Sequence, residues 1–303
     1  MAAAGPGIEI ASIKHKYMRV LWILLFATTI SPLAHAQESD SAFHAMDSVL
    51  PRLSHSHVIW HDIKEGVYDG GQYLTRPLHW SGKEWAIIGT TAGVTLMMEG
   101  ADDQIARDFF QHNQGPFGSG LTWFTNNIYG TGYATGITFL SLYSIGLATD
   151  NSRLRIMGRQ VLQSFAYAGI TTTVLKVLFG RARPFSNEGP FNFHGFTIKD
   201  IWNSLPSGHC TVAAALSETL AADIDQPWAY VTFYGLEGLT VVGRLYADAH
   251  WLSDTFAGLI IGNVAGFWVS RETEHYDLQT NQPKSTSFLL MPTLNGFALS
   301  YNF

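Results

Sequence analysis

The sequence predicts an all-α fold, a bundle of six helices, on three observations. Apolar residues make up 47% of the 303 and charged residues only 14%, a balance that suits helices buried in protein or in lipid. Apolar segments recur along the chain, separated by Gly, Pro, Asp and Asn. Those segments are rich in glycine, alanine, serine and threonine, which permits close helix packing in either solvent.

Taken in order, the first element stands outside the bundle. Lys14, Lys16 and Arg19 precede an apolar run from Val20 to Ile30, followed by Pro32 and Ala34-His35-Ala36. This is the layout of a secretory signal peptide over residues 1–36, cleaved after Ala36, with an uncleaved signal anchor as the alternative. Either way the chain is expected to enter the cell envelope. Residues 37–83 are polar, aromatic and histidine-rich without a sustained period, so an irregular lead-in with short amphipathic helices is expected. The helical domain is expected over residues 84–272, with helices at about Trp85–Met98, Tyr133–Ala148, Val161–Phe179, Thr211–Ala222, Trp228–Val242 and Thr255–Val269. In the tail, residues 273–303, the positions Phe297, Leu299, Tyr301 and Phe303 alternate and predict a strand or hairpin.

Most of the six segments fall short of the roughly 20 apolar residues that cross a bilayer, so each fits a core helix as well as a span. If the basic loop Arg153, Arg155, Arg159 is cytoplasmic, the following helix runs outward and the end at Lys176 faces the periplasm. Trp85–Met98 is then not a full span. A wholly exported bundle resting on a membrane surface is the other reading.

A net charge of -6 and a pI near 6.0 argue against a nucleic-acid partner, so any anion-binding charge must be local, as at Arg181, Arg183 and Arg244. The single cysteine, Cys210, forbids an intrachain disulfide.

Three fragments carry the chemistry. Lys176 and Arg183-Pro184 flank Gly180, which ends a helix and turns the arginine back toward its axis. Pro206-Ser207-Gly208-His209 opens the segment beginning at Cys210, and a helix N-terminus with free N–H groups, a glycine and a hydroxyl binds anions. Arg244 precedes His250, and His250 lies four residues before Asp254. On a helix beginning near Ala249 the two share a face, with the carboxylate accepting the Nδ1 proton and Nε2 left free to attack. Each fragment alone has a bland reading: solvated cap, ordinary N-cap, structural His–Asp pair. Other candidates are weaker. His55, His57, His61 and Asp62 form an unconvincing metal set, Asp102, Asp103 and Asp108 read as a solvated face, His194 borders the entrance or the surface, and Trp251 lines the pocket or anchors its helix.

In this order and spacing the fragments resemble the type 2 phosphatidic acid phosphatase superfamily, which includes bacterial acid phosphatases and vanadium haloperoxidases. Its pattern, K-x6-R-P, then P-S-G-H, then S-R-x5-H-x3-D, is met at every position except the last serine, which is Gly243 here. The resemblance implies a six-helix bundle. It implies that Lys176, Arg183 and Arg244 hold a phosphate, with donors from Ser207 and Gly208. His209 is implied as the acid, His250 as the nucleophile and Asp254 as its partner. Gly243 removes one hydroxyl donor near the phosphate.

The expected activity is a metal-independent phosphatase that passes through a phosphohistidine and needs no cofactor, acting on lipid phosphates or diphosphates in the envelope with the site facing the periplasm. A periplasmic acid phosphatase for soluble monoesters is the alternative, ahead of a vanadate-dependent haloperoxidase and of a helical envelope protein with a relict site.

Overall fold

The computed structural model describes residues 54–101, 106–272, 287–293 and 296–302. The expected signal peptide lies outside these. The helices are α1 His55–Thr75, α2 Gly82–Ala101, α3 Asp108–His112, α4 Pro116–Phe124, α5 Gly132–Ala148, α6 Ser152–Phe179, α7 Gly208–Ile224, α8 Pro227–Tyr246 and α9 Leu252–Glu272, with a π-helical turn at Thr125–Tyr129 after α4. The all-α fold is therefore met, and the six predicted segments lie within α2 and α5 to α9. Strands β1, Ser287–Thr293, and β2, Gly296–Asn302, pair antiparallel from Ser287 with Asn302 to Thr293 with Gly296.

Local chemistry sets the helix ends. The Asn151 side chain caps α6 by accepting from the Leu154 N–H at 3.0 Å, and Gly180 ends it in the left-handed conformation, φ 59°. Pro227 opens α8 at a position where its missing N–H costs nothing. The helix α6 begins nine residues before the predicted Val161, because its first turns are polar and escape an apolar search.

The centre of the bundle is α7, against which α6, α8 and α9 pack. Ala213, Ala214, Ala215 and Ala221 are fully buried there. On α9, Gly258, Gly262 and Gly266 recur every fourth residue against α7. A Cβ at Gly262 would stand 2.3 Å from the Thr211 carbonyl oxygen and 2.6 Å from the Ala214 Cβ. The two backbones thus approach as only glycine permits.

The outer faces of α5 and α6 are apolar. Ile137, Leu140 and Ile145 on α5 and Ile170, Val174 and Leu178 on α6 are exposed. Helices α6 and α9 are long and apolar enough to cross a membrane by length and composition.

Two expectations are corrected. The described residues of the lead-in hold a 21-residue helix, α1, with its polar stripe inward. Asp62 pairs with Arg155 at 2.5 Å and with Arg159 at 3.1 Å, and Asp69 accepts from Gln163 at 3.0 Å, while Trp60, Ile63, Val67 and Leu74 face outward. A search for an apolar inward stripe misses a helix built the other way. The arginines at 153, 155 and 159 lie in the first turns of α6, not in a loop, and Arg155 and Arg159 are buried against Asp62. They are not free juxtamembrane charges, so the topology argument built on them lapses.

Gly262→Ala is expected to destabilise the protein by about 1–3 kcal/mol through overpacking. Gly235→Ala on α8, where an added Cβ meets nothing within 4 Å, should be neutral or slightly stabilising. Thermal unfolding of the two variants in the same detergent checks this, and equal behaviour would overturn the close-approach account.

Candidate active site

The three fragments meet at the end of the bundle where α6 stops and α7 and α9 start. Lys176 sits in the last turn of α6, and the Gly180 N–H donates to its carbonyl at 2.9 Å. Beyond Gly180 the chain doubles back: Ala182 N–H donates to Asn192 at 2.9 Å, Arg183 N–H to Ile201 at 3.0 Å and Ser204 N–H to Arg181 at 3.0 Å. This return brings Arg183 to the third fragment, where its Nη1 donates to the Ala249 carbonyl at 3.1 Å and stands 3.4 Å from His250 Nε2. Its other face is held by Asp200, whose backbone oxygen accepts from Nε and whose carboxylate accepts from Nη2, both at 2.8 Å. The Lys176 ammonium donates to the Asn203 carbonyl.

The second fragment lies as predicted, with Ser207 at the N-cap and Gly208 as the first residue of α7. Gly208 faces Lys176, since a Cβ there would lie 3.7 Å from the lysine Cε. Arg244, in the last turn of α8, donates through Nη1 to the Asn126 side chain, and the His209 ring bonds the Asn126 backbone. The π-turn at Thr125–Tyr129 is thus a fourth contributor.

Asp254 joins all of this. Its Oδ1 accepts from Arg181 Nη1 at 2.7 Å. Its Oδ2 accepts from the Ser204 hydroxyl and, at 2.9 Å, from the Trp251 N–H. Its backbone oxygen accepts from the Ser207 N–H at 2.9 Å. As the third residue of α9 it reaches back to the N–H that precedes the helix, as a capping-box carboxylate does. His250 Nδ1 lies 3.6 Å from Oδ2, slightly beyond hydrogen-bond length. His250 is not on the helix, as the spacing predicts, but two residues ahead of its start at Leu252. The four-residue spacing works because Asp254 bends back to cap.

Burial and nearby cations act together on both histidines. His250 is held well below the ordinary histidine range, by burial first and then by Lys176, Arg244 and Arg183, against the opposing pull of Asp254. His209 is pushed down to about 4, by burial first, then by Arg244, with smaller effects from Arg183 and Lys176. All three cations thus lie close enough to act on both rings. Neutral imidazoles facing a concentration of positive charge can bind an oxyanion, and a neutral Nε2 can attack one.

Arg181 departs from its predicted role as an anion-binding charge. It is fully buried and donates to Asp254, to the Ser253 hydroxyl at 2.7 Å and to Pro190 at 2.7 Å, with Glu99 of α2 at 4.0 Å. Trp251 is an anchor, not a pocket wall. The guanidinium groups of Arg181 and Arg107 lie 5.6 and 5.7 Å from its ring centroid, and its Nε1 donates to Ala182 at 2.8 Å. His194 stacks on Trp202 at 4.0 Å and pairs with Glu188. In the weak metal set, Asp62 is committed to two arginines and His61 faces Glu65 at 3.7 Å.

The structure also accounts for Gly243. A Cβ there would lie 2.2 Å from the Thr125 Oγ1, so threonine from the π-turn occupies the space of the serine side chain. Sequence reasoning missed Thr125, Asn126, Ser204, Asp200 and Glu99. Ser204 alone had a local signal, two residues before Pro206; the others arrive through tertiary contacts.

Residues 158–275 match the family model described as the PAP2 superfamily. The lipid A 1-phosphatase of Rhizobium etli is 32% identical over 108 residues, covering 35% of this chain and 46% of that protein. The lipid A 1-phosphatase of Porphyromonas gingivalis is 29% identical over 128 residues, covering 38% of this chain and 28% of that protein. The chain thus spans less than half the length of the curated relatives it matches. A transmembrane PAP2-type phosphatidylglycerolphosphate phosphatase from Bacillus subtilis is similar with a TM-score of 0.43 at 16% identity, over 71% of this chain and 98% of that one. All three fragments lie inside the stretch, residues 158–275, that is similar to the PAP2 superfamily.

Proposed function

We propose that this protein is a membrane-embedded phosphatase that hydrolyses lipid phosphate or diphosphate esters without a metal, through a phosphohistidine. The observation that carries the reading is the convergence of Lys176, Arg183 and Arg244 on two neutral histidines. The three cations would spread the charge of the transferring phosphoryl group, as metal ions do elsewhere. The Ser207 hydroxyl, buried without a partner among the described residues, and the Gly208 N–H would add donors at the start of α7. With a phosphate oxygen on Arg183 Nη1, the phosphorus would stand near His250 Nε2 for in-line attack.

His250 Nε2 forms the bond to phosphorus as the ester P–O bond breaks, and His209 gives its proton to the departing oxygen. Water then cleaves the P–N bond, with His209 taking the proton back and His250 leaving as a neutral ring. Asp254 would hold the imidazolium-like charge on His250 during transfer. Lipid A-type phosphates are the first substrates to try, since the curated relatives are so described. A membrane setting is supported by the apolar outer faces of α5 and α6 and by the inverted stripe of α1. In this reading the site faces the periplasm.

Purified protein with EDTA present should release inorganic phosphate from lipid phosphates. His250→Ala should lower the rate by at least about a thousandfold, and His209→Ala by about 10²–10⁴-fold. Release from soluble esters alone would favour an acid phosphatase instead, and no release from any ester would sink the reading.

The depressed pKa of His209 carries a sign. Near pH 7 the ring is neutral in the free protein; a bound dianion offsets the surrounding cations, raises the pKa and draws a proton in. Binding of tungstate should therefore take up protons between about pH 5 and 7, and affinity should fall as pH rises. Calorimetry in buffers of different ionisation enthalpy reads this directly, and proton release would contradict the assignment. Lys199→Cys, at an exposed position beside the site, should react with an impermeant maleimide from outside the inner membrane. Labelling only after the cells are opened would reverse the orientation.

A further inference from the structure

The loop between the first two fragments, residues 185–201, is ordered yet strongly apolar on its outside. Glu188 is its internal hub, accepting from Trp202 Nε1 at 3.0 Å and Asn192 Nδ2 at 2.9 Å and pairing with His194 at 2.8 Å. On this frame Phe196 and Ile198 stand 82% and 83% exposed. Phe196 has φ 59°, a left-handed conformation that a bulky residue adopts at a cost. A strained backbone that displays a bare phenyl ring calls for something to cover the ring.

The loop's position says what covers it. The Thr197 N–H donates to Val177 at 3.2 Å and the His194 N–H to Gly180 at 2.8 Å, so the loop is fastened to the last turn of α6. Phe196 and Ile198 therefore extend the exposed stripe Ile170, Val174, Leu178 past the end of that helix, one of the two long and apolar enough to cross a membrane. Lys199 follows directly, its ammonium 4.4 Å over the Trp202 ring, a cation beside an aromatic as found at the headgroup level. Asp200, two residues after Ile198, holds Arg183.

We propose that Phe196 and Ile198 form a lip that inserts into the lipid bilayer at the mouth of the site and sets Arg183 at headgroup depth, so that a phosphate on a membrane lipid meets the site without leaving the bilayer. This rests on the lipid-phosphatase reading, and its first test does not depend on activity. Phe196→Cys labelled with an environment-sensitive fluorophore and reconstituted into phosphatidylglycerol–phosphatidylethanolamine vesicles should be quenched by spin-labelled lipid and shielded from aqueous iodide. The single native thiol, Cys210, is buried. Quenching by iodide would overturn the lip, and shielding from both quenchers would assign the face to protein–protein contact and overturn it equally.

The second test uses Phe196→Asn combined with Ile198→Ser. Phosphate release from phosphatidate in vesicles should show a KM raised about tenfold, while hydrolysis of a soluble phosphomonoester by the same preparation stays at the wild-type rate. Equal loss on both substrates would mean a damaged site and no lip. Wild-type protein inactive on every ester, with the label still quenched by lipid, would leave the lip standing and remove the phosphatase reading instead.

Discussion

The buried ion pair between Arg181 and Asp254 is the contact on which the rest of the site depends. Both side chains are fully buried, and each alone would be a stranded charge whose cost is several kcal/mol. Together they tie the first fragment to the third. The Ser204 hydroxyl and the Ser207 N–H bind the same residue and bring in the second. A carboxylate thus anchored can face a histidine without turning toward Lys176, Arg183 or Arg244. Its position as capping residue of α9 adds a local reason to stay.

This arrangement also divides the cations by task. Arg181 neutralises the carboxylate, while Lys176, Arg183 and Arg244 act on the two histidines. Asp200 and Asn126, one from the loop and one from the π-turn, aim two of those three. Without such partners, long cationic side chains would sample many rotamers, and the entropy of ordering them would fall on the substrate.

At the far end of α6 a second polar cluster joins Asp62 to Arg155 and Arg159. Arg155 and Lys176 are 21 positions apart on one helix, about 31 Å at 1.5 Å per residue, close to the roughly 30 Å of a hydrocarbon core. Between the two polar ends α6 exposes Leu162, Ile170 and Val174. The polar groups of α1 and α6 face each other while apolar groups face out, the reverse of a bundle built for water.

The helices of the bundle and the three fragments could be read from the chain alone because their signals are local. Gly180, Pro206 and Pro227 punctuate the helices, and a histidine or lysine amid apolar segments is conspicuous at its own position. Even Gly243 could be noticed there, though not explained, since Thr125 reaches it from another element. The tertiary structure decided what each charge does. Arg181 and Arg183 are two residues apart with the same chemistry, yet one is sealed against Asp254 and the other faces His250. The same holds for α1, whose inward stripe is polar only because Arg155, Arg159 and Gln163 wait opposite it. Periodicity and breaks belong to neighbouring residues in sequence, whereas burial and the identity of a partner depend on which distant segment packs alongside.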